Sequence, residues 1–168
     1  MKKLIEIKKK LANDWFKSLQ EKMIYQYKLL ENELSKKKGR KTKYFIKREW
    51  KKKNKKEGGG TSYLLRDGEI FDKVGINQST VSGKFEKVFR SKVLGSEKNG
   101  KYWASGISVV AHMKNPKIPA FHFNTRFIVT SKSWFGGGMD ATPTFDDKKE
   151  KNFIHQKLKT TCKLKLLT

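Results

Sequence analysis

Two apolar runs near the middle of the chain predict a pair of neighbouring β-strands. Lys101 to His112 is mostly apolar and lies between Asn-Gly and Asn-Pro turn signals, which is typical of a buried strand. Ala120 to Thr130 alternates between apolar and polar residues, so that His122, Asn124 and Arg126 share one face of the second strand. The short turn MKNPKIP joins the two runs and favours an antiparallel pair.

The first part of the chain has the period of a helix. From Leu4 to Leu34, apolar residues recur every three or four positions, which predicts one long helix, or two helices with a break near Asn13-Asp14. The buried stripe would consist of Leu4, Ile7, Leu11, Trp15, Leu19, Met23, Tyr27, Leu30 and Leu34. A helical pattern returns from Asp146 onward.

A length of 168 residues suits one domain or a domain with a tail. The sequence pattern changes near residue 58, which suggests two parts within this length. Ser35 to Glu57 is too charged to form core and predicts a solvated, partly ordered basic connector. After Gly58-Gly59-Gly60, short β-type runs alternate with turn residues. We therefore expect a helical and lysine-rich segment over residues 1–57 and a sheet domain over residues 58–168.

The charge balance limits the classes of ligand that the protein could bind, but it does not choose among them. Forty basic residues face 16 acidic residues, giving a formal net charge of +24, and such a surplus points to nucleic acid, an anionic membrane or a polycarboxylate ligand. Only five of the basic residues are arginines, whereas phosphate and base recognition favours the bidentate guanidinium. A basic nucleic-acid-binding protein is therefore the alternative function rather than the first.

Cysteine usage and hydropathy indicate the compartment. A single cysteine, Cys162, excludes an internal disulfide framework and suits a reducing environment, so we expect a cytoplasmic protein. Lys8 to Lys10 interrupt the apolar residues near the start, and no stretch approaches about 18 apolar residues. We expect neither an export signal nor a membrane span.

The three histidines are candidates for chemistry. Pairing of the two central strands would bring His112 and His122 together. With His155 from a helix they would form a divalent metal site or an acid/base pair, although a hydrogen-bonded histidine is the commoner role of such a residue.

Arg126 and Asp140 are candidates for binding and acid/base chemistry. Arg126 could hold a carboxylate in two parallel hydrogen bonds, or form an ordinary cross-strand ion pair. Asp140 follows Gly136–Gly138, where absent side chains let a backbone or a flat ligand approach closely. A carboxylate in such a loop acts as a base, or caps the turn at Thr142-Pro143.

Three segments, read in order, resemble the oxygen-dependent coproporphyrinogen oxidase family. They are EGGGTSYLLRDGEIFDKVGINQSTVSG from Glu57, GISVVAHMKNPKIPAFHFNTRFI from Gly106 and WFGGGMDATPTF from Trp134. The resemblance runs from about Leu11 to Cys162. It implies an α+β fold with a large antiparallel sheet flanked by helices, which forms a homodimer in complete members.

The resemblance also implies an activity. The family uses molecular oxygen, without an organic cofactor, to convert two propionates of coproporphyrinogen III to vinyl groups, giving protoporphyrinogen IX in haem synthesis. By resemblance, His122 is the proton donor and Asp140 the carboxylate that faces the pyrrole N–H groups. The implied substrate contacts are Ser108, Asn124, Thr125 and Arg126, and the implied divalent metal ligands are His112, His122 and His155.

Some residues depart from the family pattern. Ser82, Met113 and Thr125 stand where other residue types are usual. The family chain also continues for roughly as long again, with further strands of the same sheet and further substrate contacts. We therefore expect an incomplete sheet in a truncated or split oxidase, which needs a homodimer or a separately encoded C-terminal half, or else in an inactive remnant. Alone, the chain is expected not to turn over coproporphyrinogen III at a normal rate.

Overall fold

A computed structural model describes residues 2–145 and 147–164, and it contains one antiparallel sheet of six strands. The strands lie side by side in chain order, so each pairs with its sequence neighbours. They are β1 (Ile46–Lys51), β2 (Gly58–Arg66), β3 (Phe71–Lys84), β4 (Lys101–Met113), β5 (Ala120–Val129) and β6 (Ser133–Thr142). The helices are α1 (Lys2–Lys37), the short α2 (Lys87–Arg90) and α3 (Lys148–Leu164), with a single 3₁₀ turn at Lys55–Glu57. The α+β fold is confirmed.

Helix α1 covers one face of the sheet and encloses the core. It is continuous through Asn13-Asp14 and buries Ala12 and Phe16 against the middle strands. Full burial of one such phenylalanine contributes about 1.5–3 kcal/mol. The buried apolar residues of the strands are Leu65, Phe71, Val74, Ile76, Ile107, Val109, Ala111, Phe127 and Val129.

The buried stripe of α1 differs from the predicted one over its first half and again at Leu30, which is 49% exposed beside the buried Glu31. Leu11 and Trp15 are 64% and 52% exposed, whereas the adjacent Ala12 and Phe16 are buried. Both stripes recur every three or four residues, and they differ by one position, or about 100° of helix rotation. Periodicity alone therefore does not choose between them, and contact with the sheet does.

Polar side chains of α1 fix its position across the sheet. The buried Gln20 donates from Nε2 to the carbonyl oxygens of Thr61 (2.8 Å) and Ile76 (3.0 Å). Asn13 Oδ1 accepts hydrogen bonds from Thr80 Oγ1 (2.6 Å) and Gln78 Nε2 (3.3 Å). These bonds satisfy buried polar groups that would otherwise be costly, and they select one placement of the helix.

A buried glutamate joins α1 to the turn between β2 and β3. Glu31 is 0% exposed, and its carboxylate accepts hydrogen bonds from the backbone N–H groups of Glu69, Ile70 and Phe71. A Cβ on Gly68 would lie 2.6 Å from that carboxylate, so any side chain there would displace it. The turn between β2 and β3 is therefore packed against the Glu31 carboxylate and is not free in solvent.

The lysine-rich segment contains a strand that the sequence reading did not predict. Ile46–Lys51 pairs with β2, from Ile46 opposite Leu64 to Lys51 opposite Gly59. All side chains of β1 are exposed, so backbone hydrogen bonds form this edge strand without burying charge. Lysines on an edge strand also discourage pairing with other chains.

Helix α3 lies on the same side of the sheet as α1. Its Ile154 and Glu150 border a cavity with Tyr27 and Leu30 of α1, and Asp147 Oδ1 caps its first turn by accepting from Lys149 N (2.9 Å) and Glu150 N (3.0 Å). The predicted helix in this part of the chain is present, and its predicted first residue, Asp146, lies outside the described residues. None of the described helices has the length and apolarity of a membrane-crossing segment.

Replacing Glu31 by alanine tests the anchoring of the turn. We expect a loss of about 2–4 kcal/mol in the free energy of unfolding, because buried N–H groups lose a charged acceptor. Urea denaturation measures the loss. The matched control is Glu33→Ala, since the exposed Glu33 pairs only with Lys37 in the next turn (2.7 Å) and its loss should change stability little. Equal effects of the two substitutions would contradict this role of Glu31.

Candidate active site

The sheet face opposite α1 is open and bears the polar side chains of the middle strands. Strand alternation and register place residues of all six strands on this face, hereafter the open face. The polar residues along its centre are Asn77, Ser79, Ser108, Asn124 and Arg126. An antiparallel sheet tolerates one uncovered face when that face is polar, and such a face is available to a ligand.

The centre of the open face is a flat floor of small residues. One row across the sheet contains Gly60, Ser79, Gly106, Arg126 and Gly136 at successive strands. At Gly106, a Cβ would lie 2.6 Å from the carbonyl oxygen of the neighbouring strand. The floor underlies a cavity of about 350 Å³, in which a flat ligand could approach the backbone closely.

Both triple glycines lie within strands. The sequence reading treated Gly136–Gly138 as a loop before Asp140, but these glycines belong to β6 and face Arg126, Thr125 and Asn124 of β5. Gly58–Gly60 likewise begins β2. Pairing on the neighbouring strand supplies backbone hydrogen bonds that glycine's weak strand preference would not predict.

Asn124 has an unsatisfied acceptor inside the site. Its Oδ1 is buried and has no hydrogen-bond partner among the described residues, and Asn124 lines the cavity above the floor. An orphaned buried acceptor usually marks a water or ligand position, since leaving it unpaired costs about 1–3 kcal/mol. The amide oxygen therefore fits a donor N–H from a bound ligand.

His122 and Asp140 form a hydrogen-bonded pair across β5 and β6. They are register partners, and His122 Nδ1 lies 2.8 Å from Asp140 Oδ1. The hydrogen bond from His122, followed by that from Thr142 Oγ1 (3.1 Å), lowers the pKa of Asp140 below its ordinary value. The carboxylate is therefore ionised at neutral pH and accepts from Nδ1, which leaves His122 Nε2 to exchange a proton with a ligand.

The three predicted metal ligands do not come together. The rings of His112 and His122 meet edge to face, 5.9 Å apart, but His155 lies on α3, whose Ile154 borders the cavity on the α1 side. Within residues 2–145 and 147–164, no group of three or more His, Cys, Asp or Glu side chains is placed to hold a metal ion. The described residues of this chain therefore do not by themselves form a divalent metal site.

Three of the four predicted substrate contacts share the site. Ser108 pairs in register with Asn124, and Arg126 lies two residues farther along β5 on the same face. Thr125 has the opposite orientation and shares a row with Gln78 and Ile107, which face α1. Its side chain is therefore separated from the other three by the sheet, and only its backbone is available to the cavity.

Sequence reading missed the contribution of β1 and β3 to the site. Trp50 of the lysine-rich segment lines the cavity with Asn77 and Ser79 of β3. An isolated tryptophan within a basic run was the available signal, and the alternation of polar residues in GINQSTVSG was a second. Neither specifies a site until the register places Trp50 opposite Gly60.

Comparison with known proteins matches one family. The family model described as Coproporphyrinogen III oxidase matches residues 12–165. Proteins named oxygen-dependent coproporphyrinogen-III oxidase from Rickettsia typhi and Rickettsia prowazekii are each 44% identical over 154 residues, and that from Rickettsia felis is 45% identical. Each alignment covers 92% of this chain and 54% of the relative. The chain thus spans about half the length of these relatives, and the resemblance found in the motifs is confirmed.

Removing His122 should change the ionisation of Asp140. In His122→Ala we expect the pKa of Asp140 to rise toward its ordinary value, because the largest cause of its lowering is lost. A pKa that is lower in the folded than in the unfolded state stabilises the fold at pH values above the ordinary pKa of aspartate. This contribution to stability is lost as pH falls through the pKa of the folded state. Carbon-13 NMR titration of the Asp140 carboxyl measures the shift. His112→Ala is the matched control, and an equal rise there would contradict the assignment.

Replacing Asn124 should cost no stability. We expect Asn124→Ala to change the free energy of unfolding by less than about 1 kcal/mol, or to raise it, because the buried oxygen has no partner to lose. Asn13→Ala should instead lose about 1–3 kcal/mol, since Asn13 Oδ1 accepts two hydrogen bonds. Thermal and urea unfolding of both variants gives the comparison. A larger loss at position 124 than at position 13 would show that Asn124 is structural.

Proposed function

Because the chain belongs to the coproporphyrinogen III oxidase family, we propose that its open face binds coproporphyrinogen III and takes part in oxidative decarboxylation of the substrate by molecular oxygen. The observation that carries this proposal is the His122–Asp140 pair, hydrogen-bonded at 2.8 Å. It lies beside the floor of small residues, hereafter the glycine floor, where the buried Oδ1 of Asn124 has no hydrogen-bond partner among the described residues. An ionised carboxylate, a proton carrier and a free acceptor next to a flat surface suit a ligand with several N–H groups.

The substrate's chemistry matches the residues of the site. Coproporphyrinogen III is a flexible tetrapyrrole with four carboxylates and four pyrrole N–H groups. Conversion of one propionate to a vinyl group releases CO₂, one proton and two electrons, and oxygen is the co-substrate that accepts the electrons. The protein must therefore stabilise an electron-rich ring while it is oxidised, and must move a proton.

Each side chain has a defined proposed role. The Asp140 carboxylate accepts a hydrogen bond from a pyrrole N–H and stabilises the positive charge that develops on the ring. His122, held by Asp140 through Nδ1, exchanges the proton through Nε2. Arg126 holds a propionate, and Ser108 and Asn124 hydrogen-bond the ring or its substituents. Thr125 contributes through its backbone alone.

We propose that a second polypeptide completes this site. The chain spans about half the length of its relatives, and its cavity is open on the side away from the sheet. A second copy in a homodimer, or a separately encoded C-terminal half, could cover the bound substrate and exclude water. The single cysteine supports a reducing compartment, the cytoplasm. Neither the family assignment nor the cavity favours the nucleic-acid-binding alternative.

Turnover by the separate chain tests whether a second polypeptide is needed. We expect the purified chain to convert coproporphyrinogen III slowly in air, and faster after addition of the remaining half of a Rickettsia relative as a separate polypeptide. Chromatographic separation of porphyrins after oxidation of the products measures the vinyl groups formed. Full activity from the chain alone would refute the need for a second polypeptide and leave the catalytic roles intact.

Removing the carboxylate tests the proposed roles in the same assay. We expect Asp140→Asn to lower turnover by about 10²-fold with a smaller effect on binding, because the amide carries no charge to stabilise the oxidised ring. Asp72→Asn is the matched control, since Asp72 is exposed at the far end of β3. Equal effects of the two substitutions would contradict the catalytic role of Asp140.

A further inference from the structure

A second cavity on the open face has a different chemical character from the first. It has a volume of about 520 Å³ and lies over β1, β2 and β3. Trp50 and Asn77 line both cavities and form the boundary between them. One extended ligand could therefore occupy both cavities.

Three cations line this second cavity. They are Arg48, Arg66 and Lys73, and Arg66 lies directly opposite Lys73 in the pairing of β2 with β3. Like charges at directly opposed positions destabilise a sheet. This arrangement is therefore unfavourable unless an anion lies between the cations.

Within residues 2–145 and 147–164, none of these cations forms an ion pair. The ion pairs among the described residues do not include Arg48, Arg66 or Lys73. One acidic residue, Glu49, borders the cavity, and its carboxylate already pairs with Lys47 Nζ at 2.6 Å. The cavity therefore presents an excess of positive charge to a ligand.

We propose that this cavity is a carboxylate-binding subsite for the ligand whose ring lies on the glycine floor, an inference that rests on the proposed function. The guanidinium groups of Arg48 and Arg66 can each bind a carboxylate with two parallel hydrogen bonds, and Lys73 adds a point charge. Arg126 lies on β5, three strands from Arg66 on β2. Arg126 shares a register row with Gly60, six residues from Arg66 along β2, so at about 4.8 Å per strand and about 3.3 Å per residue the two backbones are about 24 Å apart, a span over which the two side chains line adjoining cavities.

With this subsite, the open face has two separate regions that bind carboxylates. Arg126 holds one edge of the ligand on the floor, four residues along β5 from His122. The cations of the second cavity hold other carboxylates over β1, β2 and β3, at least three strands from Asp140 on β6. Such binding at a distance from the reacting group fixes the orientation of the substrate.

Porphyrin binding with and without carboxylates tests the subsite. Coproporphyrin III, the oxidised form of the substrate, has four carboxylates, and its tetra-amide has the same shape without the charges. In the triple variant Arg48→Gln, Arg66→Gln, Lys73→Gln of the full chain, we expect affinity for coproporphyrin III to fall about tenfold or more, with affinity for the tetra-amide changed less than about threefold. Absorbance titration at one ionic strength measures both affinities.

A matched variant separates local binding from general charge. Lys53→Gln, Lys56→Gln, Lys87→Gln removes the same three charges from exposed positions outside both cavities, and it should weaken coproporphyrin III binding less than about threefold. Unfolding curves confirm that both variants are folded, and the single substitution Lys73→Gln, which relieves the like-charge pair, should show a smaller loss of affinity in the same direction.

The outcomes distinguish this inference from the proposed function. Equal weakening by the two triple variants, or equal weakening for the two porphyrins, would overturn the subsite. Wild-type binding of coproporphyrin III that needs Asn124 and Arg126 but is unchanged in the cavity variant would overturn the subsite alone. No binding of either porphyrin by the wild-type chain would overturn the proposed function and the subsite together.

Discussion

The packing of α1 on one face of the sheet is the contact on which the rest of the structure depends. Phe16 supplies apolar burial, Gln20 satisfies carbonyl groups of two strands, and Glu31 holds the turn between β2 and β3. A single helix of 36 residues thus covers the core side and fixes the register of the middle strands. The opposite face has polar and small residues along its centre, and it is the face that bears the candidate site.

Because side chains alternate along each strand, the two faces of the sheet differ in chemical character. Ile107, Val109 and Ala111 face α1, while Gly106 and Ser108, which alternate with them, face the cavity. The same β-strands therefore stabilise the fold and form the site, with no residue required to do both. Because His122 on β5 and Asp140 on β6 are register partners, their hydrogen bond is a consequence of strand pairing.

Much of this arrangement could be predicted from local pattern. The long first helix, the β4–β5 pair and the shared face of His122, Asn124 and Arg126 follow from periodicity, and the motifs around them resembled one family. The edge strand β1 could not be predicted, because its lysines gave no apolar pattern and its stability comes from backbone pairing with β2. The choice of Phe16 over Trp15 also depended on contact with the sheet.

The sequence by itself determined which residue types lie at the candidate site and the family to which the chain belongs, because motif spacing and side-chain alternation are local properties. Tertiary structure decided which of those residues share a surface. It separated His155 from His112 and His122, turned the side chain of Thr125 toward α1, and collected Arg48, Arg66 and Lys73 around one cavity. The physical reason is that strand register joins residues far apart in the chain, and register is set by long-range hydrogen bonds and by the helix packed against the sheet.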